Sequence, residues 1–314
     1  SACRLEPRSL LQRRQPGACA PICESQNRAT LGTHSSLALA GSVMDGAPAA
    51  KPEAAGSFVY QGYAGGLKVG KVAMDVALRD GRYAAKMRLE TAGMVGWFIE
   101  WRHGTSVKGA ATADQGPASH GAPLTVKSYQ ADSYWKKKER FVNFEVRNGG
   151  VAEVTKAAPH PLADERRPTI TDAQRTDVLD PLSAIIAVGR TLEQTGSCNA
   201  SYPVYDGRRR YTVKIEDQGI AELEPSRRTP YEGDAQRCKF VFERVAGFRK
   251  KLAADDEPTN GRAYYRRPAP GAPMMPVKII AELELGSAII NLKQYQALDP
   301  AKAEQILLAS PTKP

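Results

Sequence analysis

The strongest constraint on the fold is a regular alternation of apolar and polar side chains on both sides of Asp80-Gly81. The apolar side chains stand at Val72, Met74, Val76 and Leu78, and again at Tyr83, Ala85, Met87 and Leu89. A period of two places successive side chains on opposite faces of a strand, and Asp-Gly favours a two-residue hairpin turn. The segment therefore predicts an antiparallel hairpin with one apolar and one polar face.

The same pattern recurs later in the chain. Val142, Phe144 and Val146 alternate toward Asn148-Gly149, and a similar run from Val277 leads to Gly286-Ser287, where we predict a further turn. Successive hairpins of this kind predict a meander, and an open sheet of many twisted strands tends to curl.

One helix is predicted within the strands. Asp180 is a suitable N-cap, Pro181 fits the first helical position, and the apolar residues that follow repeat at helical spacing: Leu182, Ile185, Ile186 and Gly189. We expect the concave side of the sheet to cover this apolar face. The fold class is therefore mainly β, with a single antiparallel sheet curled into a spiral or half-open barrel around one central helix.

The chain divides into four parts in this interpretation. Residues 1–50 are a signal peptide or a disordered leader, since a basic region and a modest apolar region precede Ala47-Pro48-Ala49, a small-x-small cleavage pattern. Residues 51–56 are a linker, 57–297 the β domain, and 298–314 a short C-terminal helix and tail. No run reaches the length of a membrane-spanning helix, so we expect no transmembrane segment.

The cysteines indicate the compartment. Three of the five lie in the leader, at Cys3, Cys19 and Cys23, and only Cys198 and Cys238 belong to the β domain. A single pair flanking a β-rich segment behind a secretory leader predicts a disulfide, because oxidised pairs persist mainly outside the reducing cytosol. We expect an exported, periplasmic protein.

The net charge of +10 could favour an anionic partner such as a lipid headgroup, a glycan or a nucleic acid. The basic residues cluster in five short runs, at Lys136–Lys138, Arg208–Arg210, Arg227-Arg228, Arg249–Lys251 and Arg266-Arg267. Most fall at strand ends or in loops, where solvated charges also block edge pairing, so we favour a solvated surface and no nucleic acid.

No set of residues predicts catalysis, a metal or a cofactor. Gly65-Gly66-Leu67-Lys68-Val69-Gly70-Lys71 has the spacing of a phosphate-binding loop, but Val72 replaces its hydroxyl residue and a strand follows in place of a helix. His34, His103, His120 and His160 are scattered and lack metal-ligand spacing, and the Gly-x-Ser-x-Gly nucleophile motif is absent. We therefore predict no enzyme; a hydrolase that uses one of the three later histidines is the weaker alternative.

Two segments are candidates for contact with a ligand or partner. Trp97, Phe98, Ile99 and Trp101 form the densest aromatic segment, which packs in the core or serves as a flap over an apolar cavity. In the alternation that follows Asp206-Gly207, Arg209 shares the face of Tyr211 and other apolar residues. A guanidinium there is either a structural ion pair or the polar end of a ligand pocket.

Four segments carry a resemblance to a known family: Gly62–Gly70, Trp97–Trp101, Asp180–Ser183 and Tyr205-Asp206-Gly207-Arg208-Arg209-Arg210-Tyr211. Over about residues 57–296 the chain resembles an uncharacterised family of exported envelope proteins of Gram-negative bacteria, known only as a domain of unknown function. It is more remotely similar to β-spiral proteins of the EipB type and to the lipoprotein carriers LolA and LolB. The resemblance implies a periplasmic, non-catalytic role in envelope maintenance, and the remote one implies an apolar cavity.

We therefore expect a monomer that binds an amphiphile, such as a lipid or a lipoprotein, on its concave face. The alternative is a scaffold that binds another envelope protein, and a hydrolase acting on envelope polymers is the weaker third hypothesis.

Overall fold

The structure is a computed structural model, and it describes residues 54–93, 96, 100–111, 123–135, 137–159, 168–248, 260–283 and 286–309. Thirteen strands and two α-helices form this part of the chain. The strands are β1 (Ala54–Ala64), β2 (Leu67–Arg79), β3 (Arg82–Thr91), β4 (Trp101–Ala111), β5 (Leu124–Trp135), β6 (Lys138–Val146), β7 (Ala152–Ala158), β8 (Ala200–Tyr205), β9 (Arg210–Leu223), β10 (Gly233–Ala246), β11 (Asn260–Arg266), β12 (Met275–Leu283) and β13 (Gly286–Ala297); the helices are α1 (Pro181–Thr195) and α2 (Pro300–Leu308).

All the strands belong to one antiparallel sheet. Its order is β7-β6-β5-β4-β3-β2-β1-β13-β12-β11-β10-β9-β8, so the first and last strands pair in the middle. The edges are β7 and β8, the two strands that flank α1 in sequence. Among the described residues no ladder joins these two edges, so the sheet is not closed by strand pairing.

A short irregular segment lies between the two edges. Thr176 forms an antiparallel bridge with Val151, next to β7, and Leu179 forms a parallel bridge with Val204 in β8. The Leu179 carbonyl accepts the N–H of Tyr205 at 2.8 Å. The edges are thus connected through residues 176–179, which lead directly into α1.

The hairpin prediction at Asp80-Gly81 is confirmed. Both residues have positive φ, 51° and 69°, as a type I′ turn requires, and Arg79 pairs with Arg82 across it. The turn predicted at Gly286-Ser287 is misplaced, because Gly286 already pairs with Leu283 and begins β13. Glycine can serve in a strand as well as in a turn, so composition alone did not fix the boundary.

The predicted linker at 51–56 is also wrong at its end, because β1 begins at Ala54 and pairs with Leu78. The small residues Ala54, Ala55 and Gly56 carry little strand propensity, and the neighbouring ladder places them in the sheet. The predicted leader lies outside the described residues.

Helix α1 is the central helix that the sequence predicts. Asp180 caps it by accepting the backbone N–H groups of Leu182 at 2.9 Å and Ser183 at 3.0 Å, and Gly196 ends it in the left-handed conformation. Strands β3, β4 and β5 contact it, and so do β8 and β12. Both halves of the sheet therefore pack on one helix, and the prediction of a single curled sheet around a central helix is confirmed.

The main core lies between α1 and the inner face of the sheet. Helix α2 lies within the range 298–314 in which a short C-terminal helix is predicted. It forms a separate small cluster in which Ala303 and Leu307 pack on Ala77 and Ala84. Neither helix of the described chain has the length and apolar character needed to span a bilayer.

Candidate functional site: an apolar cavity and an adjoining polar pocket

An apolar cavity of about 230 Å³ lies between α1 and the inner faces of β9 to β12. Its lining is almost entirely hydrocarbon and aromatic: Pro181, Ala184, Ile185, Val188, Tyr211, Val213, Ile215, Cys238, Phe240, Phe242, Ala263, Tyr265 and Ile279. An apolar cavity of about 150 Å³ already accommodates a benzene molecule. The cavity is therefore large enough to hold a chain segment of an apolar ligand.

Specific contacts hold α1 away from the cavity wall. The Tyr265 hydroxyl donates to the Ile185 carbonyl at 3.1 Å, and the backbone N–H of Met274 donates to Glu193 Oε1 at 3.0 Å. The Cys198–Cys238 disulfide joins the chain after α1 to β10, with 6.2 Å between the two Cα atoms. Because these contacts fix the spacing between helix and sheet, the cavity is preformed. The predicted disulfide is confirmed.

A polar pocket of about 480 Å³ adjoins this cavity. Its lining includes Pro181 and Tyr211, which also line the apolar cavity. The remaining lining residues are His103, Tyr129, Ala131, Asp132, Ser133, Arg140, Phe141, Val142, Asp206, Arg208 and Arg209. The hydrocarbon walls under the helix therefore lie next to a region rich in guanidinium groups.

The register of β4, β5 and β6 shows the same change along the inner face of the sheet. A first row, in the core, consists of Thr105, Ala131 and Val142. The next row consists of His103, Ser133 and Arg140, and the last of Trp101, Trp135 and Lys138. The indole rings of Trp101 and Trp135 pack edge to face, with 6.5 Å between their centroids. The two residues are 36% and 40% exposed. We call this pair the tryptophan rim.

The environment of His103 favours the neutral form of its side chain. Burial lowers the pKa of its imidazole, and Nε2 lies 3.0 Å from the Thr105 hydroxyl. The other two histidines of the hydrolase hypothesis, His120 and His160, lie outside the described residues. No group of three or more histidine, cysteine, aspartate or glutamate side chains is arranged to hold a metal ion in the ranges that the structure describes.

The Asp-Gly-Arg-Arg-Arg-Tyr segment is a clasp between the two edges of the sheet. Asp206 Oδ1 accepts the backbone N–H groups of Arg208 at 2.8 Å and Arg209 at 2.6 Å, which forms a tight turn. Arg208 then reaches across to the other edge, where it donates to the carbonyl oxygens of Phe141 at 3.1 Å and Ala158 at 3.2 Å. One side chain therefore joins the β8–β9 turn to β6 and β7.

The remaining residues of this segment fit closely. Gly207 has a φ of +84°, and a Cβ atom there would lie 2.3 Å from Cγ2 of Val142, so only glycine allows the approach. Arg210 donates from Nε to the carbonyl of Gln174 at 3.0 Å. The prediction that this basic run is a solvated surface is wrong. The guanidinium groups of Arg208 and Arg210 donate to backbone carbonyl groups between the two edges of the sheet, a region that we call the seam.

Of the two alternatives for Arg209, the structure shows the ion pair, and the role in a ligand pocket stays a prediction. Its Nε donates to Asp206 Oδ2 at 2.8 Å as an ion pair, and its side chain also lines the polar pocket together with Tyr211. Arg209 precedes β9, which begins at Arg210, so a turn rather than strand alternation directs it toward the pocket.

The other predicted contact residues divide into two groups. Trp97, Phe98 and Ile99 lie outside the described residues, so the flap stays a prediction. Trp101 lies at the tryptophan rim. Sequence reasoning missed Arg140, although a signal existed: it stands in the alternating series that continues with Val142 and Phe144, and a charge in such a series indicates where the inner face becomes polar.

The sequence matches the model of a family described as a protein of unknown function, DUF3108, over residues 59–293. The chain belongs to this family. No curated protein matches the sequence. Among solved structures, the chain is similar to a β-barrel-like protein of the domain of unknown function DUF1849 from Brucella abortus, with 8% identity and a TM-score of 0.45, over 78% of this chain and 98% of that one.

Proposed function

We propose that this protein is a non-enzymatic, exported component of the bacterial envelope that binds an amphiphile inside its curled sheet. The observation that carries the proposal is the adjacency of the apolar cavity under α1 and the polar pocket at the clasp, which share Pro181 and Tyr211 in their walls. An amphiphile has the same two parts, and an apolar pocket with a few convergent polar groups is typical of small-molecule sites. The chain of the ligand would lie along α1 and its head group beside the clasp.

The geometry of the lining supports a ligand-binding cavity rather than a packing defect in the core. Core side chains normally pack without voids larger than a water molecule, so a cavity of this size loses dispersion contacts that a ligand would restore. The Tyr265 hydrogen bond tethers α1 to β11, and the disulfide tethers the chain after α1 to β10, so both restrain the position of the helix beside the cavity. The tryptophan rim would line the entrance.

Export is supported by the Cys198–Cys238 disulfide, since such bonds persist in oxidising compartments. Trapping of free thiols in intact cells tests this part of the proposal. Protein with both thiols reactive at steady state would contradict export.

The binding proposal is tested by filling the cavity. Ala263 is buried in its wall, so Ala263→Phe should place a ring in the space that the ligand chain needs. Native mass spectrometry of protein from its own host should show a bound amphiphile in the wild type, and a dodecyl fluorescent probe should saturate it with one site. Ala263→Phe should abolish both signals.

Ala301→Phe, on the exposed side of α2, is the matched control, because it adds the same ring far from the cavity. Circular dichroism confirms the fold of both variants. Saturable probe binding that is equal in wild type, Ala263→Phe and Ala301→Phe would refute a ligand site in the cavity.

A further inference from the structure

We propose that the ligand head group is an anion, a carboxylate or a phosphate, and that Arg140 and Arg209 bind it in the polar pocket. This inference rests on the proposed function and names its substrate class. The juxtaposition that carries it is an apolar cavity that shares Pro181 and Tyr211 with a neighbouring pocket lined by three arginines.

The wall shared by the two spaces indicates which end of the ligand lies where. Tyr211 is the second residue of β9, and its ring packs edge to face on Phe242 in the apolar cavity, with 5.7 Å between the ring centroids. Tyr211 also lines the polar pocket. We therefore place the head group of a ligand whose chain lies in the cavity beyond Tyr211 and the start of α1, on the side of the polar pocket. The side chains of Arg140 and Arg209 line this pocket.

The charges of the pocket favour an anion. Arg140, Arg208 and Arg209 contribute three positive charges, and Asp132 and Asp206 contribute two negative charges. His103 adds no charge when its imidazole is neutral. The Asp206 carboxylate is occupied, since it accepts two backbone N–H groups and the Nε of Arg209. A cationic head group at Asp206 would have to displace these contacts, whereas an anion would not compete for them.

Arg140 is the side chain available for such a ligand. Its side chain is exposed on the pocket wall and makes no hydrogen bond or ion pair with any residue in the described part of the chain. Arg208 is committed to two carbonyl oxygens of the seam, so we assign it a positioning role. A guanidinium presents paired N–H donors that match the oxygens of a carboxylate or a phosphate, so both head groups share the recognition chemistry.

The test compares ligands that share one chain and differ only in the head group, each below the concentration at which it forms micelles. Displacement of the dodecyl probe is measured with dodecanoate, monododecyl phosphate, dodecyl maltoside and dodecyltrimethylammonium. We expect both anions to bind at least roughly fivefold more tightly than the neutral and cationic ligands, which is what a contact of about 1 kcal/mol gives. The ratio of dodecanoate to dodecyl phosphate affinity then distinguishes a free fatty acid from a phospholipid as the source.

Variants at one position separate charge from structure. Arg140→Gln should remove the preference for the anions and leave maltoside binding unchanged, and Arg140→Lys should retain most of it. Arg147→Gln is the matched control, because Arg147 is an exposed arginine at the β6–β7 hairpin, paired with Glu153 outside the pocket. Raised salt should weaken the anions selectively.

The two proposals fail in different ways. Equal affinity for all four head groups, or an anion preference that survives Arg140→Gln, would overturn the head-group inference and leave the cavity site standing. A wild-type protein that binds neither the dodecyl probe nor any of the four ligands would overturn both proposals.

Discussion

Asp180 is fully buried, and burial raises the pKa of its carboxyl group from 3.8 to about 6. Hydrogen bonds from Ser183 and from the backbone N–H groups of Leu182 and Ser183 oppose this shift but do not cancel it. The Ser183 hydroxyl in turn lies 2.7 Å from the hydroxyl of Tyr83 on β3. The cap of the central helix is therefore also a buried titratable group in the core of the sheet.

The direction of the effect on stability follows from proton linkage. Below about pH 4 the carboxyl group is protonated in both the folded and the unfolded chain. As the pH rises to 6, the unfolded chain releases this proton and the folded chain retains it, so the free energy of unfolding falls. A shift of about two units corresponds to a contribution of about 3 kcal/mol that is present below pH 4 and lost above pH 6.

Asp180→Asn isolates this contribution. Asparagine is an equally good N-cap, so the amide oxygen should still accept from Leu182 and Ser183, and no proton is bound or released. We expect the stability of the variant relative to the wild type to rise by up to about 3 kcal/mol between pH 4 and pH 7. The variant must be compared with the wild type, because Asp217 contributes a pH dependence of stability in the opposite direction in both proteins. Hydrogen bonds from Gly219 and Cys198 lower the pKa of the Asp217 carboxyl group despite burial.

Urea unfolding followed by tryptophan fluorescence, under non-reducing conditions at half-unit steps of pH, measures the difference. Asp234→Asn is the control for loss of one negative charge, because Asp234 is exposed at the start of β10. A carboxyl carbon resonance that disappears in Asp180→Asn and titrates with a midpoint near pH 6 would identify the group directly. A stability difference that stays constant across the interval, or falls as the pH rises, would refute the reasoning.

Three further changes test the framework around the site. Arg208→Ala removes two hydrogen bonds across the seam, so the free energy of unfolding should fall by about 2 kcal/mol and amide exchange at the β7 edge should accelerate, whereas unchanged protection would contradict the clasp. Replacing Cys198 and Cys238 together by serine opens a 40-residue loop and should destabilise the fold by about 4 kcal/mol in denaturant titrations, while the wild type under denaturation should show neither thiol. Gly189→Ala would place a Cβ atom 2.0 Å from the Met274 carbonyl oxygen, so thermal unfolding should show a loss of about 2 kcal/mol or more; an unaltered midpoint would mean that α1 shifts freely.

Local signals predicted several elements because neighbours in sequence decide them. The Asp80-Gly81 turn requires two residues that tolerate positive φ, and the start of α1 requires an acceptor side chain before Pro181. The residue types at these positions in the sequence meet both requirements. The disulfide was predictable because only two cysteines remain once the leader is set aside. The misplaced turn at Gly286 shows the limit of this reasoning, since glycine alone does not indicate whether the chain turns or continues.

The candidate site could be predicted only in fragments. Sequence alternation placed Arg209 near an apolar face, but its ion pair with Asp206 and its place in the pocket depend on a turn. Arg140 became a candidate only when the β5–β6 register aligned it with Ser133 beside the clasp. The cavity itself has no sequence signature, because it is the space left where α1 meets four strands that approach it from elsewhere in the chain.

The sequence by itself determined a meander of alternating strands, a capped helix and one cross-link, because these depend on periods of two and 3.6 residues and on the chemistry of adjacent side chains. Tertiary structure alone decided that β1 pairs with β13, that both halves of the sheet enclose α1, and that Arg208 joins the edges. An alternating strand can pair with any other of suitable length, and a guanidinium can donate to any free carbonyl. Only the packed chain selects the partners, and with them the two-part space in which we place the ligand.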